Sequence, residues 1–304
     1  MFYRHDLYIN GVNMRTGYGV TVADGEISKI LALPRFKSAS IKTIDWHEHT
    51  GLEADLSDPV FEPLFFTIRL QRTDGGSISE VADDALTPGH YFSMMFTNIN
   101  LQFYRCRLSD VRNRSSLGRI ESADFIIVCD DDIHAMLYDM LTAGGDEYIP
   151  ASTNVPEPQM RIGISGPSQW QYFDELGIRV LRGWKKALTT PYLAKAPLVR
   201  NISDVEASIF DDDTVSVHGS RDNISLQLLL HCCDGYKQHG PDDFWRRYLC
   251  LLYWLTKPGE VRLEENISGL SYNSCYFDSM TVNEYVPSYP APWIKFTVNM
   301  KPLN

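Results

Sequence analysis

Apolar and polar positions alternate with period two over several stretches of this chain. Leu64, Phe66, Ile68 and Leu70 share one side of a segment whose other side holds Phe65, Thr67 and Arg69. That alternation predicts a strand with one face in a core. Ile224, Leu226, Leu228 and Leu230 repeat it, as do Ile294, Phe296, Val298 and Met300 against Lys295, Thr297 and Asn299. Ala123, Phe125, Ile127 and Cys129 alternate with Asp124, Ile126 and Val128. Further strands are expected at 6–11, running into an Asn10-Gly11 turn, and at 18–23, closed by Asp24-Gly25. Others are expected at 38–46, 101–108, 261–264 and 275–286. Residues 91–96 are apolar and fit either a helix or a strand.

A second pattern lies across the first. Leu176-Gly177-Ile178-Arg179-Val180-Leu181-Arg182-Gly183 echoes Tyr18-Gly19-Val20-Thr21-Val22-Ala23-Asp24-Gly25, with glycines bracketing both. Each segment precedes a strongly alternating strand by nearly the same distance. A diverged duplication of one β-domain accounts for this. The expected organisation is a first β-domain over 1–145, a linker over 146–160 and a second β-domain over 161–304. The boundary is set by a cluster of Gly, Pro, Ser, Thr and Asn at 144–158.

Helical spacing is clearest after Gly240-Pro241-Asp242-Asp243, which carry helix-start signals. Phe244, Tyr248, Leu251, Leu252 and Leu255 then line one face, and Pro258-Gly259 stops the run. A helix near 243–256 with a wide apolar stripe must be covered by a sheet. Residues 132–142 are a further candidate helix, and 73–88 a loop holding a short one. The fold class is therefore mainly β, a sandwich or barrel with a packed helix, in two tandem copies.

Composition narrows function more than fold. The chain has 304 residues, 44% hydrophobic and 22% charged, enough for a full core without metal or disulfide staples. A net charge of -11 disfavours tight nucleic-acid binding, which clustered Lys and Arg drive. The start, Met1-Phe2-Tyr3-Arg4-His5-Asp6, is charged and lacks a signal-peptide core, so synthesis in cytosol is expected. No run reaches the length of a membrane span. Cys106, Cys129, Cys232, Cys233, Cys250 and Cys275 show no C-x-x-C pair and read as buried thiols.

Catalytic or metal chemistry finds little support. His47 and His49, near Asp45, Glu48 and Glu53, have the spacing of a metal pair on a strand, but no second ligand cluster joins them. Asp130-Asp131-Asp132 and Asp211-Asp212-Asp213 do not fit a calcium loop and read as turns, the first capping a helix. Gly163 to Ser168 lacks the Gly-Lys-Ser/Thr ending of a phosphate loop. Cys232-Cys233 beside His231 read as the end of a core strand. Trp245, Tyr248, Tyr253 and Trp254 share one helix and serve a core, a subunit interface or a ligand surface. No nucleophile, base and orienter come together, so no catalytic, cofactor or metal site is assigned and the chain is not expected to be an enzyme.

The order of elements resembles the N-terminal domain of phage distal tail proteins and the related tail-tube and baseplate-hub domains. Asn10-Gly11, Gly51 to Ser57 and Leu64 to Leu70 carry the resemblance in the first half. Ile224 to Leu230, Phe244 to Leu255 and Trp293 to Pro302 carry it in the second. The first half departs from the family in lacking a helix that can be placed between strands, and a second copy stands where the family has a C-terminal extension. The resemblance implies a homo-oligomeric ring, trimer or hexamer, whose sheets join edge to edge around a channel through which DNA passes without tight binding. It implies tail-tube and hub partners, no membrane, and a place in the virion tail after synthesis in the bacterial host cytoplasm. The alternatives are a baseplate-hub protein of a contractile injection system and a carbohydrate-binding β-sandwich. A threefold against a sixfold ring would bear on hub versus distal tail.

Overall fold

The computed structural model describes residues 5–37, 40–45, 52–97, 99, 101–142, 158–164, 169–189, 223–231, 236–287 and 292–303. The first half opens with β1 (Leu7–Ile9), β2 (Val12–Asn13), helix α1 (Met14–Tyr18), β3 (Val20–Val22) and helix α2 (Ile27–Ile30). A separate hairpin follows, β4 (Lys42–Asp45) with β5 (Leu52–Asp55), then β6 (Leu64–Arg72). Helix α3 (Ile78–Glu80) continues as a π-helical turn over Val81–Ala85, filling the place where the sequence showed no clear helix. Next come β7 (Phe92–Phe96), β8 (Leu101–Leu117), β9 (Ile120–Cys129) and helix α4 (Ile133–Thr142). Residues 91–96 thus resolve as a strand, and the strand expected over 101–108 runs on to Leu117.

The second half holds β10 (Met160–Ile164), β11 (Trp170–Tyr172), β12 (Ile178–Val180), helix α5 (Trp184–Thr189) and β13 (Ile224–His231). Helix α6 (Tyr236–Thr256), β14 (Val261–Glu265), β15 (Ser271–Val286) and β16 (Trp293–Pro302) complete it. The chain forms two seven-stranded antiparallel sheets, ordered β2-β1-β7-β8-β9-β6-β3 and β11-β10-β14-β15-β16-β13-β12. Numbered within each sheet, which leaves out the β4–β5 hairpin, the two orders are the same. The linker expected at 146–160 lies almost wholly outside the described residues.

The correspondence holds residue by residue. Val20 faces Arg72 and Ile178 faces Leu230, which keeps Gly19 in step with Gly177 as the sequence echo requires. Both glycines are left-handed, at φ 65° and 70°. Ala23 N donates to Arg69 O at 2.9 Å, and its counterpart Leu181 N donates to Gln227 O at 2.9 Å. Asp130 N donates to Arg105 O at 2.9 Å, and Leu303 N donates to Ser274 O at 3.0 Å. Even the bulges recur. Pairing slips between Phe92 and Met94 in one half and between Val261 and Leu263 in the other. It slips again between Leu108 and Asp110, and between Phe277 and Ser279. Bulges are specific local distortions, so their recurrence at matching positions marks one architecture used twice.

Each sheet is curled. Strands β2 and β3 lie at opposite edges, yet only α1 and Gly19 separate them in the chain. Seven flat strands would spread over about 29 Å. The seven steps from Asn13 to Val20 reach at most about 25 Å fully extended, and far less through a helix. Strands β11 and β12 stand in the same relation across residues 173–177. The edges must therefore bend toward each other, which encloses the apolar face and leaves the outer face polar.

Helix α6 departs from the expected helix near 243–256 in two ways. It starts at Tyr236, upstream of the Gly-Pro-Asp-Asp signal. It is also buried well beyond one stripe: Trp245, Leu249, Cys250 and Trp254 join Phe244, Tyr248, Leu251, Leu252 and Leu255 in the core. The cause is that both halves cover it. Trp245, Tyr248 and Leu252 meet Leu31, Leu64 and Phe103 of the first half in one apolar seam. Tyr248 also lies edge-on to Phe296 of its own sheet, centroids 5.7 Å apart. Helix α4 packs alongside. Buried deep in that seam, the Tyr248 hydroxyl donates to the Leu31 carbonyl at 2.8 Å. Tyr248→Phe keeps the packing and removes the donor from a buried carbonyl, at a cost of about 1–2 kcal/mol. A lower denaturant midpoint with unchanged slope is expected; an unchanged midpoint would remove this bond from the account of the seam.

Candidate assembly surface

Beside the apolar seam around α6, the two halves also meet through polar and aromatic residues. His5, just before β1, reaches Tyr285 near the end of β15. Its Nε2 lies 2.6 Å from the Tyr285 hydroxyl and its Nδ1 lies 3.1 Å from the Thr97 carbonyl. A carbonyl only accepts, so Nδ1 carries the proton and Nε2 accepts from Tyr285. The Trp245 ring stands edge-on to both, at 6.4 Å from His5 and 5.5 Å from Tyr285. Burial lowers the His5 pKa from 6.5, against the opposing pull of the Thr97 carbonyl and of Asp6. The corner beneath is made by β1 and β7: Asp6 N donates to Thr97 Oγ1 at 3.0 Å, and Thr97 N returns to Asp6 O at 3.0 Å.

The second half owns the same corner. Gln159 N donates to Asn266 Oδ1 at 2.9 Å, and Asn266 N returns to Gln159 O at 3.2 Å. Gln159, Arg161, Tyr172, Glu264 and Asn266 line a shallow pocket at this corner. Ile267 beside it is 59% exposed. Arg161 lies over the Trp170 ring at 4.2 Å and near Tyr172 at 5.7 Å, while its guanidinium pairs with Glu264. Arg262 also lies 4.4 Å from the Trp170 ring. Gly163 permits this ladder, because a Cβ there would stand 2.8 Å from the indole Cε3.

The ends of the long hairpins differ in exposure. Ser116, Leu117 and Ile120 at the end of β8–β9 correspond by register to Tyr285, Val286 and Trp293 at the end of β15–β16. Tyr285, Val286 and Trp293 are half-buried. Residues 112–120 are all exposed, Leu117 at 81% and Ile120 at 43%. That arm holds Arg112, Arg114 and Arg119 and no acid, on a chain of net charge -11. By contrast the sheet edges are blunt: β2 has two residues and β3, β11 and β12 three each. Such short edges offer few open backbone groups.

The sequence-derived candidates fall elsewhere. Asp130 accepts from Arg107 Nε at 2.7 Å, Asp131 from Tyr104 N at 2.7 Å, and Asp132 caps α4 through Ala135 N at 3.1 Å. These are turn and cap roles. His47, Glu48, His49, Asp211 to Asp213, Ser165 to Ser168, Cys232 and Cys233 lie outside the described residues. Asp45 sits on β4 and Glu53 on β5. Among the described residues no group of three or more His, Cys, Asp or Glu is arranged to hold a metal ion. Of the helix aromatics, Trp245, Tyr248 and Trp254 are core, and Tyr253 stacks on His134 at 4.8 Å. Sequence reasoning passed over His5, Tyr285, Leu117 and Ile120. The one available signal was alignment of the two hairpins, which the bulges conceal.

No family model matches the chain, and no curated protein matches it. Among solved structures, it aligns with the Dit protein (gp 19.1) of SPP1, described as a paradigm of the hub adsorption apparatus in phages infecting Gram-positive bacteria. That alignment covers 98% of this chain and 99% of the other, at 8% identity and a TM-score of 0.31.

The neutral state of His5 makes the internal seam sensitive to pH. Its folded pKa lies below 6.5. The unfolded chain therefore binds the proton first, and stability is full above 6.5 and declines as pH falls below it. Denaturant midpoints at pH 7.5 and 5.5 should differ less for His5→Gln than for the parent; equal differences would exclude His5 as a source. His134, also lowered by burial, contributes in the same direction and is present in both proteins.

Proposed function

We propose that this chain is a structural component of a phage or prophage tail, a distal tail or baseplate protein whose repeated β-units form a ring around the tail channel. One observation carries the reading: two units of the same topology sit head to tail, with the hairpin end of the second packed on the first unit and residues 112–120 at the hairpin end of the first exposed. A head-to-tail contact uses two different patches, so repeating it generates a closed ring or an open filament. A tail channel is a setting in which ring closure serves a purpose. The resemblance of Asn10-Gly11, Leu64 to Leu70 and Phe244 to Leu255 to tail-tube-like domains supports the same reading. In it, the ring contains three or six chains, adjoins tail-tube and hub proteins in the virion, and lets DNA pass along an acidic wall. The role is structural and no reaction is assigned.

Light scattering behind a sizing column, followed by negative-stain imaging, tests this. Particles of three or six chains with a central hole are expected. A strict monomer at high protein concentration would count against the ring and would turn attention to glycan binding.

A further inference from the structure

Two cysteines stand at the root of the β8–β9 hairpin. Cys106 on β8 and Cys129, the last residue of β9, are partners in register. One step beyond the pair, Asp130 N donates to Arg105 O at 2.9 Å. That bond joins the residue after Cys129 to the residue before Cys106, so the pair occupies a non-hydrogen-bonded site of the antiparallel ladder. At such sites the Cα atoms stand about 4.5 Å apart and the side chains approach most closely. A disulfide spans Cα separations of about 4.4–6.8 Å, so it fits here with little backbone movement. The two side chains lie in one row with Phe92 on β7 and Leu64 on β6. The Cys106 thiol is hydrogen-bonded to that of Cys129, and Cys129 Sγ donates to Asp131 Oδ2 at 3.2 Å.

We propose that Cys106 and Cys129 form a redox-closable clamp, a dithiol in reducing surroundings and a disulfide after exchange with a low-molecular-weight disulfide such as oxidised glutathione. The clamp does not depend on ring assembly. In the exchange, the Cys129 thiolate attacks one sulfur of the oxidant and a glutathione thiolate leaves. The Cys106 thiolate then attacks Cys129 Sγ in the mixed disulfide, and the second glutathione thiolate leaves. The two thiol protons pass to the leaving thiolates, and the two electrons lost by the cysteine sulfurs reduce one molecule of oxidant. The bond to Cys129, burial and the nearby Asp131 and Asp130 raise the Cys106 pKa, and both thiols are fully buried. These effects slow the exchange. It therefore waits on opening of the strand end just after Cys129, where Asp130 and Asp131 are only half-buried. The second unit has no thiol pair at the matching site. Cys275 takes the place of Cys106, because Leu303 N bonds Ser274 O as Asp130 N bonds Arg105 O, but its partner in register is Pro302. The Cys275 thiol donates to the Val261 carbonyl at 2.9 Å. The hairpin that packs on its neighbour thus lacks this pair, and the hairpin with the exposed end carries it. Closing the clamp ties β8 to β9 below residues 112–120 and limits how far the two strands can separate.

The test incubates the purified full chain, well below its melting temperature, with excess oxidised glutathione or with a phosphine reductant. Remaining thiols are then alkylated in denaturant and a peptide map is read without reduction. Peptides joined through Cys106 and Cys129 are expected from the oxidised sample alone, with Cys275 alkylated in both. The oxidised protein should melt about 5 °C above the reduced protein. In Cys129→Ser, compared with itself under the two treatments, that gain should vanish whatever the variant's own stability. Alkylated Cys106 and Cys129 after prolonged oxidation, or glutathione attached to them with no joined peptides, would overturn the proposal. Joined peptides without a gain in melting temperature, or a gain that persists in Cys129→Ser, would overturn the role as a clamp.

Discussion

Burial of helix α6 between the two sheets is the interaction on which the rest depends. An isolated helix covered on one stripe leaves its far side to water, and α6 has almost no such side between Phe244 and Leu255. Its own sheet supplies Phe296, and the first half supplies Leu31, Leu64 and Phe103. Each fully buried Leu or aromatic residue there contributes roughly 1.5–3 kcal/mol relative to exposure. Residues of both halves cover the helix, so the two units share one apolar core around it. Arg247 fits the same logic. It pairs with Asp243 one turn back at 2.6 Å and donates to the Glu175 carbonyl, so its charge is compensated where water is scarce.

The duplication explains why so much of the fold was legible. The echo between Gly19 and Gly177 survives because both positions need a left-handed residue at a strand entry, where glycine bears no Cβ penalty. The alternating strands survive because one buried face fixes the register, and a slip of one residue would expose it. What stayed hidden follows from the same physics. The first slip of the β8–β9 pairing falls between Leu108 and Asp110, so the period-two pattern breaks there and the strand seemed to stop at Leu108; Asn113, left-handed at φ 51°, lies within the second slip. The first unit's helix is three residues long and continues as a π-helical turn, too short to show a 3.6-residue stripe. Helix α6 showed one apolar face in the pattern, while Trp245, Leu249 and Trp254 became core only because a second unit lies opposite.

The candidate surface was less legible because it is relational. Nothing in Ser116-Leu117-Gly118-Arg119-Ile120 differs from an ordinary solvated hairpin until it is placed beside Tyr285-Val286 and Trp293. Nor does His5 look special in a charged N-terminal stretch. Its role comes from a tyrosine 280 positions away. Composition helped only in the negative sense, since an acidic chain with no ligand cluster points away from nucleic-acid readout and toward packing.

The two seams of the proposed ring need not be equal, and the structure gives a reason for asymmetry. The connection from Leu230 to Val261 is eleven residues longer than that from Arg72 to Phe92, and the extra length forms α6. The internal seam therefore has a buried helix, a buried Tyr248–Leu31 bond and the His5–Tyr285 contact. The corresponding connection of the first unit offers only α3 and its π-helical turn, with Asp83 and Asp84 exposed. Tethering also makes the internal contact intramolecular, which lowers its entropic cost relative to a contact between free copies. In the proposed ring, a tandem chain of this kind holds one seam closed and leaves the other to form on assembly. The outer surfaces must then stay soluble before assembly. Arginines flanking Leu117 and Ile120, and sheet edges of only two or three residues, meet that requirement.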